Sequence, residues 1–233
     1  MLKKIEAQNM FLSNQGWLES RFHFSFAEYR NFDNINFGVL RVLNDDIIHA
    51  KKGFGKHPHN DMEIISYIIE GELTHEDSMG NKETLKTGEV QYMSAGTGIF
   101  HSEMNESDKD VRLLQIWISP PKKGMTPLYG SHNYKKEEAQ NKLLNIVSSQ
   151  EGKATVNIYQ DVNIYVSRLE KEKSFSVSID KKRQIYFVQI EGSSNINGVT
   201  LNNADAMEIT DESKLDIQAL SDSHFLFLEM NQP

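Results

Sequence analysis

The chain has 233 residues, enough for one large domain or two small ones with sizeable cores. It has no cysteine, which removes disulfides, thiolate metal sites, iron–sulfur clusters and cysteine nucleophiles, and fits a reducing cytoplasm. A net charge of −8 argues against general binding to nucleic-acid backbones.

The first residues, Met1 to Asn9, lack the apolar core of a signal peptide, and no apolar run approaches the ~20 residues of a membrane helix. The expectation is a soluble cytoplasmic protein. Leu18 to Tyr29 carries Phe22, Phe24 and Phe26 at period two, which predicts a strand with an aromatic core face and His23 on the opposite side as a surface or hydrogen-bonded histidine. Phe37 to Val42 predicts a second strand. Asn44-Asp45-Asp46 reads as a turn, and Ile47 to His49 as another short strand.

The segment from Lys56 to Glu103 holds the chemistry. It opens with His57-Pro58-His59 and closes with His101-Ser102-Glu103. Alternate side chains of a strand share a face, so each pair presents two donors to one side of a sheet. Three imidazoles and one carboxylate on facing strands would make a divalent transition-metal site with coordination positions to spare.

Between these pairs lie a β-branched run at Met62 to Ile69, a break at Glu70-Gly71 and an extended stretch from Glu72 to Glu76. Asp77-Ser78-Met79-Gly80-Asn81 predicts a hairpin turn. Thr87-Gly88 is another turn, followed by a strand from Glu89 to Met93 and a small-residue loop, Ser94 to Gly98. His75 reads as a satisfied surface histidine; His49, His132 and His224 stand outside any motif. Phe54, Met62, Met93, Phe100 and Met104 read as residues lining a barrel.

Leu113 to Ile118 is a further strand, closed by Pro120-Pro121. An irregular crossing follows, with a short helix expected over Lys135 to Val147. Strands resume near Thr155, at Asn163 to Val166, at Ser174 to Ile179 and at Gln184 to Ile190. Many short strands with turns every eight to twelve residues predict an all-β sandwich or barrel.

A faint repeat sharpens this. Ser66 to Gly71 is echoed by Phe187 to Gly192, and Thr87 to Met93 by Asn203 to Ile209. Counted back from the two glycines, His57 and His59 correspond to Ser178 and Asp180, so the second half lacks a comparable histidine set. The reading is a domain over 1–125 that binds metal and a domain over 126–233 that does not.

Gly55 to Glu63 together with the strand ending at Gly71 resembles the first cupin motif, and Gly88 through Glu103 resembles the second. With Phe24-Ser25-Phe26-Ala27, Leu40 to Asp46, Asp77 to Asn81 and Gln91 to Gly96, the set resembles the pirin family, strongly from about Gly16 to about Pro120 and more weakly to the C-terminus. The resemblance implies a bicupin, two tandem double-stranded β-helix (jelly-roll) barrels. It implies His57, His59, His101 and Glu103 as metal ligands, with Glu63 the rival carboxylate. The implied cofactor is one divalent transition metal, iron first, with copper, nickel, cobalt, manganese or zinc as the others.

Some family members oxidise the flavonol quercetin. The resemblance therefore implies an oxidoreductase acting on a small aromatic flavonol-like substrate and O2, with Glu103 also accepting the substrate's hydroxyl proton. The alternative is a non-enzymatic, metal-binding regulator acting through a protein partner. A third reading is a cupin isomerase or other non-oxidative metal enzyme. None involves a membrane or direct contact with nucleic acid.

Overall fold

The computed structural model describes residues 1–233. Apart from two single-turn 3-10 helices, at Ala7–Asn9 and Lys136–Glu138, every regular element is a strand. Grouped by proximity, residues 11–134 with 156–160 form one compact unit; residues 1–10, 135–155 and 161–233 form the other.

The first unit is a barrel of two sheets. The larger runs Leu128–Asn133, Glu89–Ser94, Glu63–Glu70, Val111–Ile118, Leu40–Ile48, Leu18–Phe22 and Phe11–Asn14. The smaller runs Gly53–His59, Ile99–Met104, Glu72–Asp77 and Lys82–Lys86. Pairing is antiparallel throughout the barrel wall. Glu63–Glu70 forms the middle of the larger sheet because its β-branched residues are buried on both faces: Ile64, Ile65, Ile68 and Ile69 are all at most 4% exposed. Each such side chain contributes roughly 1.5–3 kcal/mol by leaving water.

Four local expectations are corrected. Asn44-Asp45-Asp46 is not a turn but the middle of the single strand Leu40–Ile48, which also absorbs Ile47 and Ile48. The aromatic strand stops at Phe22; Phe24 is buried beyond it, and Phe26 sits in a tight bridge with Tyr29. The helix expected over Lys135 to Val147 is one 3-10 turn followed by the strand Leu144–Ser149. Residues 128–133, expected in the crossing segment, form the edge strand beside Glu89–Ser94.

The second unit repeats the plan. Its larger sheet includes Leu2–Ile5, Ala206–Ile209, Arg183–Glu191, Ser223–Asn231, Val162–Leu169 and Leu144–Ser149. Its smaller sheet runs Ser174–Ser178, Lys214–Ala219, Ser194–Ile196 and Val199–Leu201. The repeat seen in the sequence has a physical cause. Gly71 and Gly192 end the two central strands at φ +83° and +74°, a region that disfavours side chains. Each lies against the carbonyl oxygen just before the next central strand, Asp110 or Asp222, where a Cβ would collide.

Pairing also fixes which residues correspond. His75 pairs with Glu103 as Ile196 pairs with Ile217, and His101 pairs with His57 as Leu215 pairs with Val177. His57 and His59 therefore match Val177 and Ile179, one residue before the Ser178 and Asp180 obtained by counting, because the connection into the second central strand is one residue longer. Ile179, Ile196, Leu215 and Ile217 belong to the second barrel's apolar core, and Val177 packs on it.

Candidate metal centre

The His-Pro-His strand and the His-Ser-Glu strand are antiparallel neighbours, with His101 directly across from His57. A bulge displaces their register between His101 and Glu103, so that Glu103 pairs with Phe54. Bulges re-aim side chains, and this one lies beside the histidine cluster. The Gly55 carbonyl at this irregularity accepts a hydrogen bond from His57 Nδ1 at 2.7 Å. A carbonyl only accepts, so Nδ1 is the donor here, and Nε2 is the nitrogen turned toward His101.

His57, His59 and His101 converge, with ring centroids 4.5–4.9 Å apart. His57 Nε2 and His101 Nε2 stand 3.0 Å from each other. Two nitrogens each ~2.1 Å from one ion, about 90° apart, would be separated by about 3.0 Å. Burial, and after it the neighbouring imidazoles, pushes His59 down to about 4 and His101 down to about 3. Neutral rings with free lone pairs are the form a metal ion takes up. His101 Nδ1 is buried and makes no hydrogen bond.

Glu103 adjoins this triad through His101. A ligand atom from each of His75, His101 and Glu103 comes within 4.8 Å of the others, as one from each of His57, His59 and His101 does. Glu103 is 2% exposed. Ser66 donates to its Oε1 at 2.9 Å and Gln115 Nε2 to its Oε2 at 2.8 Å, leaving lone pairs on both oxygens.

Glu63 is spent elsewhere. It accepts hydrogen bonds from the Tyr92 hydroxyl at 2.9 Å and from the backbone N–H groups of Tyr159 and Gln160 at 2.7 and 2.9 Å. Burial pushes its carboxyl up, and those three donors pull it back. It joins neither cluster of donors.

His75 is the residue that sequence reasoning misplaced. It is not at the surface: its exposure is 0%, and its ring stacks on Tyr129 at 4.8 Å. Its Nε2 lies 3.3 Å from Asp77, whose carboxylate also caps the hairpin by accepting from Met79 N and Asn81. Burial pushes Asp77 up, but these bonds outweigh it and hold the carboxyl below its usual range. The available signal was strand parity: His75 and Asp77 alternate on a strand directly paired with His101 and Glu103. His49 pairs with Asp110 at the surface, His132 lies edge-on to Tyr134, and His224 is buried in the second barrel.

A cavity of about 230 Å³ opens beside the triad, small against the ~300–1,000 Å³ of typical ligand pockets. Trp17, Phe22, Phe26, Phe54 and Trp117 form its aromatic walls. Trp17 meets Phe54 edge-on at 5.2 Å, and Trp117 meets both Phe26 and His59 edge-on at 5.4 and 4.8 Å. Ser20, Asn44, Asp46 and Gln115 supply its polar lining. Burial pushes the Asp46 carboxyl up to about 7; the Ser20 hydroxyl pulls it down, and the charges of Asp45 and Glu103 raise it further. Of the residues expected to line the barrel, Phe54 and Met93 are inside, but Phe100 is half exposed with Lys56 Nζ 6.0 Å from its ring centre.

Residues 4–118 match the family model for pirin, and residues 145–230 match the model for the quercetinase C-terminal cupin domain. The chain is 42% identical over 219 residues to a quercetin 2,3-dioxygenase of Escherichia coli K12, covering 94% of each chain. It is 38% identical over 218 residues to a pirin-like protein of Caulobacter vibrioides, covering 93% of this chain and 94% of that one. Among solved structures, YhhW from Escherichia coli superposes with a TM-score of 0.95 at 39% identity, covering 100% of this chain and 99% of that one. A nickel(II) complex of the same bacterial protein gives 0.94 at 38% identity, covering 100% of both.

Proposed function

The chain belongs to the pirin family, and on that premise we propose that it is a metal-dependent dioxygenase that opens the heterocycle of a flavonol such as quercetin with O2 and releases carbon monoxide. The observation that carries this reading is the set of three converging histidines and one carboxylate at the wall of an aromatic cavity. His57, His59, His101 and Glu103 would hold the ion. The donor set suits it: His57 is oriented by the Gly55 carbonyl through Nδ1, and its Nε2 stands 3.0 Å from His101 Nε2.

A bound divalent transition ion supplies Lewis acidity toward a chelating hydroxy-ketone and a redox partner for O2. The chain's own groups do the rest. Glu103, steadied by Ser66 and Gln115, accepts the proton of the flavonol hydroxyl. Trp17, Phe26, Phe54 and Trp117 hold the flat ring system and exclude water from it. Iron is our first choice of metal. The nickel complex of a relative supports nickel as an alternative, and imidazole-rich sites accept several first-row ions. A cysteine-free chain suits the reducing cytoplasm, where we place this activity.

The test pairs elemental analysis of protein purified without added metal with oxygen uptake on quercetin after loading with iron, copper, nickel, cobalt or manganese. About one equivalent of metal and metal-dependent uptake, with carbon monoxide in the headspace, is the expected result. No uptake with any metal would remove the dioxygenase and leave the regulator reading.

A further inference from the structure

We infer that His75 is a positioning residue of the metal centre: held by Asp77, it accepts through Nδ1 the hydrogen bond that His101 donates from its own Nδ1 when Nε2 holds the ion. The inference rests on the metal-centre reading above for the ion, and on geometry for the residue itself.

Four side chains form a buried square on two paired strands, Glu72–Asp77 and Ile99–Met104. His75 lies across from Glu103, and Asp77 lies across from His101. Each of the four is at most 8% exposed. His101 and Glu103 line the aromatic cavity, whereas His75 and Asp77 do not. Their place is behind the ligands rather than beside a guest.

The His75 ring is fixed on two sides. It stacks on Tyr129 at 4.8 Å and 24°, and Tyr129 is tied through its hydroxyl to Glu83 at 2.8 Å. The Asp77 carboxylate only accepts, so His75 Nε2, 3.3 Å away, is the donor. In a neutral ring that leaves Nδ1 as an acceptor, and Nδ1 is buried without a hydrogen bond.

His101 has the opposite need. Its Nε2 faces His57 Nε2 at 3.0 Å, where the ion would be held. A histidine that binds an ion through one ring nitrogen carries its proton on the other, and that N–H is nearly always donated to an acceptor. His101 Nδ1 is buried, and it too makes no hydrogen bond. Asp77 lies opposite but is full. A carboxylate offers about four lone-pair positions; Met79 N, Asn81 N, Asn81 Nδ2 and His75 Nε2 occupy those of Asp77. Glu103 accepts from Ser66 and Gln115 and is itself committed to the ion. His75 Nδ1 is the acceptor left. The two ring centres are 5.4 Å apart. That is close to the span of two imidazoles joined by one N–H···N bond of about 3 Å. In the second barrel the same register position holds Ile196, within an apolar core. The fold does not require an imidazole there; the ion does.

The experiment uses two readouts that do not depend on turnover. The first is nickel affinity, by competition with a chromophoric chelator. His75→Ile, which copies the second barrel, should bind nickel about 10–100-fold more weakly, the usual loss when such an outer partner is removed. His75→Asn, whose amide oxygen can stand where Nδ1 stood, should recover most of that loss. The second readout is NMR of isotope-labelled, zinc-loaded wild-type protein. The proton on His101 Nδ1 should show coupling across the hydrogen bond to His75 Nδ1. Unchanged nickel affinity in His75→Ile, equal losses in the two variants, or a His101 Nδ1 proton without coupling to His75 would overturn the inference and leave the metal centre standing. No nickel on the wild-type protein would overturn both. No oxygen uptake on quercetin with the affinity pattern intact would sink the dioxygenase reading alone.

Discussion

His75 faces Glu103 across two antiparallel strands, and both side chains are closed off from solvent. The pair places a fully buried imidazole, anchored by Asp77 and stacked on Tyr129, directly behind the carboxylate of the candidate metal centre. The corresponding pair in the second barrel, Ile196 and Ile217, belongs to an apolar core. The same fold thus carries either a polar or an apolar interior at one register position, and the choice determines whether a metal can be held there.

Glu103→Gln separates ligand from base. The amide keeps an oxygen that can accept from Ser66, but it loses the charge and the proton-accepting capacity. We expect part of the metal content to survive while oxygen uptake falls by about 10²-fold or more, the usual scale for losing a general base. Metal analysis and oxygen uptake on one preparation check this; unchanged turnover would remove the base assignment.

Glu63 provides the contrast. Glu63→Ala strips the partner from one buried hydroxyl and two N–H groups. Stability should fall by about 3 kcal/mol or more, since each orphaned donor costs about 1–3 kcal/mol. Metal stoichiometry per folded molecule should not change. Chemical denaturation and metal analysis together decide it, and loss of the ion with stability unaltered would restore Glu63 as a ligand.

The repeated glycines make a third prediction. Alanine at Gly71 would combine positive φ with a Cβ 2.6 Å from the Asp110 carbonyl oxygen; at Gly192 the collision with Asp222 is closer still. Gly16 has a similar φ of +81° with nothing within 4 Å of a Cβ. Gly16→Ala should cost about 1 kcal/mol, the backbone penalty alone. Gly71→Ala and Gly192→Ala should each cost clearly more, because backbone must move. Equal losses at all three sites would show that the carbonyl contacts do not matter.

The last prediction concerns pH. Burial holds the fully buried His23 down to about 4, from 6.5. Between pH 6.5 and 4 the unfolded chain therefore binds a proton that the folded chain refuses, and stability falls as pH falls through that window. Taken alone the effect reaches up to about 3 kcal/mol. Asp46 acts oppositely: its raised value makes the folded state retain a proton from pH 3.8 to about 7, so its contribution weakens as pH rises. His23→Gln should flatten the loss of stability on the acid side. Denaturation midpoints of both proteins at pH 5 and pH 7.5 check this; parallel curves would show that His23 does not titrate in this window.

The sequence by itself determined the strand-rich class, the repeat and the two metal-competent pairs, because these depend on local periodicity. Period-two alternation puts His57 beside His59 and His101 beside Glu103 whatever the barrel does around them. Only the tertiary structure decided which other polar residues joined them. Asn44-Asp45-Asp46 has turn composition, yet it forms a strand because a cavity wall accepts polar side chains that an ordinary core would expel. His75 looked like a surface residue until pairing with Ile99–Met104 closed the sheet over it. Alternation already favoured Glu103 over the rival Glu63, because Glu103 shares a strand face with His101. Only the fold showed where Glu63 goes: long-range donors at Tyr92, Tyr159 and Gln160 claim it. Local pattern fixes which face a side chain takes; what meets it on that face depends on residues tens of positions away.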